Sequence, residues 1–462
     1  MLKKYIGDRA FLRRTLTIAV PILIQNAITT FVSLLDNVMV GQVGTEQMSG
    51  VAIINGILFV FNMCVFGAVS GPRIFTAQFY GNDDHEGVRH TFRFKLLIVA
   101  VLTILGWVVF LFGGSWLVDL YLKGEGDVNA IAATKDYAMQ YLRIMLMSML
   151  PFALTYAYSG TLRETGQTMV PMVASCIAVG VNLSLNYVLI FGAFGIPAMG
   201  ANGAAIATVT ARFTELAVVA GWTHLNPGKN LFIRGAYRSM HIPGSLLKTM
   251  CVKGLPLLVN EFLWAYGMAF LNQCYSLRGY DVVGAMNITQ VLSNLSSVAF
   301  MAMANAVGIM VGQLLGSGAS EQEVRDTDRK LITIAVLSCA VFGGAMAAIS
   351  GVFPQLYDTE DSVRKLATQL ICVGAAIMPF NAYTTSAYFT LRSGGKTMVT
   401  FIFDSLFVWV VIVPIAFCMS RFTAVPIVPL YICCQGTDLL KCALGGFMIR
   451  KGDWIQNLAQ ER

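Results

Sequence analysis

Apolar residues run through this chain in long blocks, each closed by a short polar or glycine-containing break. Twelve blocks lie near 16–41, 49–79, 94–118, 137–159, 168–192, 201–223, 250–275, 283–314, 331–353, 366–390, 398–420 and 426–449. Each is long enough for a helix of the roughly 20 residues that crosses a bilayer. Polar positions inside the blocks are patterned too. In the first they fall at 25/26, 29/30, 33 and 36/37, as Gln25, Asn26, Thr29, Thr30, Ser33, Asp36 and Asn37. That is the helical period, so these side chains form one polar stripe on an apolar helix. Span 5 repeats the device with Ser175, Asn182 and Asn186, and span 6 adds Thr208 and Thr210.

The pattern is written twice. Pro21, Leu23, Asn37, Gln78 and Gly81 recur at an offset of 235 as Pro256, Leu258, Asn272, Gln313 and Gly316. Thr161-Leu162-Arg163, Gly166 and Thr168-Met169-Val170 return at an offset of 229 as Thr390-Leu391-Arg392, Gly395 and Thr397-Met398-Val399. Six spans per copy is an even number, so both copies start on one side of the membrane and are parallel repeats. The expected fold is an all-α polytopic membrane protein, with twelve transmembrane helices in two six-helix lobes around a central cavity. Residues 1–222 form the N-lobe and 250–462 the C-lobe; the linker 223–249 is broken by Pro227-Gly228 and Pro243-Gly244.

Composition and charge fit this frame. The chain of 462 residues is 56% hydrophobic and 12% charged, about half the charge of a soluble protein. The cytoplasmic segments defined by an inside N-terminus hold 21 basic residues, against six in the opposite loops. Lys and Arg are retained inside, so both termini are expected in the cytoplasm of a multi-pass cell-membrane protein. The N-terminal cluster is Lys3, Lys4, Arg9, Arg13 and Arg14; the outer loops hold Lys123, Lys135, Arg278, Arg364, Lys365 and Arg421, with acids at Glu125, Asp127, Asp358, Glu360 and Asp361. The net charge of +7 is spread over short loops rather than gathered into a nucleic-acid-binding patch. No cleavable leader is expected, because the first apolar block is too long. Ten cysteines without a CxxC pair read as buried thiols.

Asp36 is the most informative polar residue. A carboxylate at mid-membrane costs about 2.5–3.5 kcal/mol on insertion scales, and is tolerated where it faces water, binds a cation or holds a proton. Asn182, Asn186 and Thr208 could add the hard oxygen ligands that a small cation prefers, although such residues also serve as helix-packing glue. The second copy carries other acids: Glu261, with Trp264 one turn on, and Asp404, near Trp409. An acid beside aromatic rings suits a lipophilic cation; a protonated structural carboxyl is the competing reading. Arg212 with Glu215, and Asp438 with Lys441, are three apart on a helix and read as local ion pairs. Arg73 is expected to snorkel to the cytoplasmic interface.

Catalytic motifs fail on inspection. Gly394-Gly395-Lys396-Thr397 lacks the upstream glycine and preceding strand of a phosphate loop, and His85, Glu86 and His90 have the wrong spacing for a zinc protease. An enzyme is therefore not expected, and neither is a cofactor.

Taken together, Leu35-Asp36-Asn37-Val38-Met39-Val40-Gly41, Ala77-Gln78-Phe79-Tyr80-Gly81, Thr161-Leu162-Arg163-Glu164-Thr165-Gly166, and Asn182 through Asn186-Tyr187 carry a resemblance. With the twelve-span duplication, the chain resembles the multidrug and toxic compound extrusion (MATE) transporters over nearly its full length. The resemblance implies secondary active efflux of amphipathic, often cationic, drugs or toxic metabolites in exchange for H⁺ or Na⁺. Asp36, Asn182, Asn186 and Thr208 would form the ion-coupling site, with no metal beyond Na⁺ at Asp36. Gln25, Thr29, Asn55, Glu261, Trp264, Gln290, Asn381 and Asp404 would line the substrate cavity. At Asn186 some members carry a second Asp, and its absence leaves H⁺ coupling open. The implied partners are small amphipathic molecules and membrane lipids, with a monomeric protein and no nucleic acid. The alternative is a flippase for lipid-linked saccharide precursors, which shares the architecture.

Overall fold

The computed structural model describes residues 5–122, 128–357 and 359–460. Lys3, Lys4, Lys123, Glu125, Asp127 and Asp358, named above for their charge, lie outside the described residues. The described chain forms twelve long helices and no strand. They are α1 (Arg9–Gly41), α2 (Thr45–Gly81), α3 (His85–Tyr121), α4 (Val128–Glu164), α5 (Met169–Phe191), α6 (Gly200–Leu225), α7 (Gly244–Ser276), α8 (Tyr280–Gly316), α9 (Glu321–Ile349), α10 (Asp361–Ser393), α11 (Thr397–Phe422) and α12 (Ile427–Lys451).

Eleven of these helices are long and apolar enough to cross a membrane. The exception is α4, whose 37 residues suffice in length but include Lys135, Asp136, Gln140 and Arg143. The helix α11 is interrupted by two π-helical turns, Ile402–Leu406 and Val408–Ile412, and Asp404 sits in the first. Such turns frequently mark functional positions. The duplicated turn at the end of α4 and α10 has a conformational cause. Gly166 and Gly395 adopt φ of +84° and +76°, where a side chain would be strained.

The chain divides into two compact units. The N-terminal unit comprises residues 24–76 and 85–248. At its core a buried ion cluster joins α2, α3 and α4. Arg73 Nε donates to Glu164 Oε1 at 2.6 Å, and Lys95 Nζ donates to Glu164 Oε2 and, at 3.0 Å, to Thr161 Oγ1. Arg73 thus does not snorkel to the interface. It is only 8% exposed, because an acid within reach outcompetes a long climb to water. The connection 223–249 is fastened to α3, since the Arg93 guanidinium donates to the carbonyls of Ala236, His241 and Gly235 at 2.8, 3.1 and 3.0 Å.

The C-terminal unit comprises residues 1–23, 77–84 and 249–462. The ends of α1 and α2 that sequence order puts in the first lobe therefore group with the second. Two contacts explain this. A Cβ on Gly81 would overlap the backbone carbonyl of Gln313, and one on Gly316 would overlap that of Gln78. The duplicated glycines are therefore a reciprocal seam between the ends of α2 and α8. Gln78, fully buried, also holds the segment after α12. Its Nε2 donates to Ser393 O (2.8 Å) and Gln456 O (3.1 Å), and its Oε1 accepts from Leu458 N (2.6 Å). Trp454 in that segment packs into the core with Ile18, Ile22, Val307 and Phe403.

All ten cysteines are free. The expectation of buried thiols holds for Cys274, Cys339 and Cys434, whereas Cys251, Cys372, Cys418 and Cys433 are exposed on helix surfaces; an apolar span can present a thiol outward as readily as inward.

Candidate functional site

In the N-terminal unit the polar stripe of α1 meets the polar faces of α5 and α6. Asp36 is half-buried, and its Oδ1 accepts a 2.5 Å hydrogen bond from Asn186 Nδ2. Asn186 Nδ2 also donates to Asn182 Oδ1 at 3.1 Å, and Asn182 Nδ2 donates to Thr208 Oγ1 at 3.4 Å. The structure thus brings Asp36, Asn186, Asn182 and Thr208 into one hydrogen-bonded chain. Asn182 and Asn186 are four apart on α5, one turn, which is why a single face presents both. Asn186 is 1% exposed, and its Oδ1 has no hydrogen-bond partner. A buried acceptor left unpaired is costly, and here it sits beside a carboxylate. No ion pair reaches Asp36 among the described residues.

Two spaces adjoin this chain. A cavity of about 480 Å³ is lined by Asp36, Asn55, Tyr141, Phe59, Phe152 and Arg212, with others. A pocket of about 80 Å³ is lined by Thr29, Asp36, Ser175, Asn182, Arg212 and Glu215, with others. Ser33, Asp36, Thr208 and Arg212 line both. The smaller space fits a small cation with a water or two, each taking about 30 Å³; the larger fits a drug-sized molecule.

The sequence-derived cavity residues of this unit fare differently. Thr29 lines the small pocket and Asn55 the large cavity. Gln25 is buried with both ends of its amide engaged: Arg163 Nη2 donates to Oε1 at 3.0 Å, and Nε2 donates to Ser175 Oγ at 2.7 Å. From there the Ser175 hydroxyl donates to Glu215 Oε1 at 2.6 Å, and Arg212 Nη1 donates to Glu215 Oε2 at 3.1 Å. Glu215 and Arg212 were read as a local pair, and the pair does form. What that reading missed is that the pair lines the pocket of Asp36. The signal was available, since Thr208, Arg212 and Glu215 fall at i, i+4 and i+7, one face of α6.

In the C-terminal unit Glu261 and Asp404 are joined through intermediaries. Tyr388 OH donates to Glu261 Oε1 at 3.1 Å. Asn260 Nδ2 contacts both the Tyr388 hydroxyl, at 3.3 Å, and Asp404 Oδ2, at 3.1 Å. Lys441 Nζ closes the chain on Asp404 Oδ1 at 2.6 Å. Lys441, read as the partner of Asp438 on its own helix, instead crosses to α11. Its flexible stem reaches that far, and a charge-assisted bond to the carboxylate in the π-helical turn stabilises it there. Asp404 is therefore neutralised from within the protein. Trp264 is 37% exposed, Gln290 is exposed and donates to Asn294 Oδ1 at 2.8 Å, and Asn381 is half-buried. Among the described residues no group of three His, Cys, Asp or Glu could hold a metal ion.

The comparisons with known proteins agree with one another. A family model described as MatE matches residues 21–188 and 256–418. The chain is 21% identical over 460 residues to a probable multidrug resistance protein NorM of Thermotoga maritima, covering 97% of this chain and 95% of that protein. It is 24% identical to the probable multidrug resistance protein YoeA of Bacillus subtilis, covering 89% and 88%. Among solved structures, an outward-facing multidrug resistance MATE family transporter of the MOP superfamily superposes with a TM-score of 0.86 at 17% identity, covering 97% of both chains. A MATE in complex with MaL6 gives 0.84 at 17% identity, covering 98% of both.

Proposed function

Because this chain belongs to the MatE family, we propose that it is a secondary active exporter of small amphipathic, cationic molecules, driven by H⁺ or Na⁺ entering in exchange. One observation carries the reading. Asp36 lies on the wall shared by an ion-sized pocket and a drug-sized cavity, with no ion pair among the described residues and a buried unpaired amide oxygen next to it. An acid in that setting gains by taking up a cation. Ion and substrate binding would favour different conformations, and that difference drives exchange. A monovalent cation crossing about 150 mV releases roughly 3.5 kcal/mol, enough for a gradient of a few hundred-fold.

The site leans toward H⁺. Asn186 turns its N–H, not its oxygen, to Asp36, and so occupies a lone pair that Na⁺ would use. Na⁺ binding would require the amide to turn over and present Oδ1. We place both termini in the cytoplasm, following the basic loops. The flippase reading is weaker on this geometry. A pyrophosphate headgroup calls for several cationic groups, and among the described residues Arg212 is the single basic side chain lining the large cavity.

Everted vesicles decide the matter. Export should follow an imposed pH gradient more strongly than an imposed Na⁺ gradient, and Asp36→Asn should abolish the response to both. Normal gradient-driven export by Asp36→Asn would overturn the proposal.

A further inference from the structure

The pocket of Asp36 holds more charge than the exchange reading uses. Two carboxylates face it, Asp36 from α1 and Glu215 from α6, together with the guanidinium of Arg212. Tyr141 of α4 adds a phenol on the cavity side. Arg163, also on α4, bonds Gln25 on this wall, lies within electrostatic reach of Glu215 and lines neither space. Glu215 is held firmly, by the Ser175 hydroxyl and by Arg212. Arg212 is held loosely. Its side chain is 33% exposed, it donates to Glu215 through one nitrogen, and its guanidinium lies 5.2 Å from the centre of the Phe152 ring. Among the described residues its other N–H donors have no hydrogen-bond partner, and it is close enough to act electrostatically on Asp36.

We propose that Arg212 and Glu215 belong to the ion site: Arg212 is a tethered cation that competes with the coupling ion for Asp36, and Glu215 holds it back. This rests on Asp36 being the coupling acid. The physical logic is a balance of charge at short range. With Glu215 ionised, the guanidinium has its own anion and leaves Asp36 open to a cation from solution. Without the Glu215 charge, the same guanidinium turns to Asp36, whose carboxylate is the remaining acid in the pocket, and excludes the ion. Without Arg212, two carboxylates face one small pocket and draw cations more strongly.

The inference separates from a merely structural ion pair by sign. Loss of either partner of a structural pair harms folding and moves ion binding in one direction or not at all. Here the two single substitutions must move it in opposite directions. The test uses purified full-length protein and reads the midpoint of ion-dependent thermal stabilisation, from NaCl titration at fixed pH and from pH titration without Na⁺. Glu215→Gln should weaken cation binding about tenfold or more, and Arg212→Met should tighten it about tenfold or more. The double variant R212M/E215Q removes both charges of the pair, so the two opposing shifts should largely cancel and leave binding closer to the parent than either single variant does. Arg212→Lys, which keeps the charge, should remain near the parent. Single-variant shifts of the same sign, or a double variant that departs from the parent as far as either single, would overturn the inference. Persistence of the ion response in Asp36→Asn would instead overturn the assignment of Asp36 on which it rests.

Discussion

Glu164 offers the sharpest test of what holds the N-terminal unit together. Its side chain is 2% exposed and is clasped by Arg73, at 8%, and Lys95, at 0%. Replacing it with Gln keeps the shape and removes the charge, so a fully buried ammonium loses its counter-ion. Breaking a buried ion pair from one side costs about 3–5 kcal/mol, chiefly because the surviving charge is stranded. For a unit of this size each kcal/mol is worth roughly 2–4 °C in Tm, so Glu164→Gln should unfold on the order of 10 °C earlier. Unfolding of the detergent-solubilised protein can be followed with a thiol-reactive fluorophore, since Cys64 and Cys176 of this unit are partly buried. A second variant separates charge from packing. Adding Lys95→Met to Glu164→Gln removes the stranded ammonium and should recover more than half of the loss. A Tm for Glu164→Gln within about 2 °C of the parent, or no recovery in the double variant, would refute the view that this cluster is held by charge.

Three further outcomes follow from the geometry. Gly81→Ala and Gly316→Ala should each cost about 1–3 kcal/mol by overpacking, and the pair together should cost less than the sum, because one displacement of the α2–α8 seam relieves both; strict additivity in thermal unfolding would count against a shared seam. Lys441→Met should destabilise the protein by roughly 3 kcal/mol by stranding Asp404, with Asp404→Asn in the same chain restoring most of it; an unshifted melting curve for Lys441→Met would show the pair to be idle. Asn186→Asp adds a second carboxylate to the Asp36 chain and should lower the Na⁺ concentration for half-maximal stabilisation about tenfold, so an unchanged Na⁺ titration would place the cation elsewhere.

Helix number, the duplication and the meeting of Asp36, Asn186, Asn182 and Thr208 were legible because each is written in period or spacing. Asn182 and Asn186 lie one turn apart, and Asp36 ends a stripe, so the sequence states which face of each helix is polar. Gly166 and Gly395 repeat because both turns need a left-handed residue. Period does not state which helix a face will meet. Local spacing sees only neighbours in sequence and so pairs Lys441 with Asp438 on its own helix, whereas its ion-pair partner is Asp404 on α11. Arg73 was sent to the interface for the same reason, since Glu164 lies 91 residues away. The resemblance puts Gln25 on the cavity wall and says nothing of its partners, Arg163 and Ser175, which engage both ends of its amide. Nothing in hydropathy announces that Gln78 would hold the segment around Trp454, or that α11 would carry π-helical turns at Asp404.

The two copies place different polar chains in matching frames. Gln25 and Asn260 stand 235 residues apart, as the repeat dictates, and Ser175 and Asp404 stand 229 apart. In each unit the amide on the first helix bonds the residue on the fifth, which bonds a charged residue on the sixth. In the N-terminal unit the order is amide, hydroxyl, carboxylate, with Arg212 at the rim. In the C-terminal unit it is amide, carboxylate, ammonium. The second arrangement is closed, because a cation approaching Asp404 must displace an ammonium that is covalently tethered and so present at high effective concentration. The first leaves Asp36 beside the chain with no base upon it. Duplication thus supplies two equal frames, and exchange of a hydroxyl for a carboxylate at one position, with a matching lysine, closes one of them with an ion pair. Restoring the open pattern in the C-terminal unit through Asp404→Ser with Lys441→Glu should therefore leave ion dependence governed by Asp36, since that frame would still lack an acid at the position of the α1 aspartate, where Asn37 recurs as Asn272 and the residue before it is Leu271.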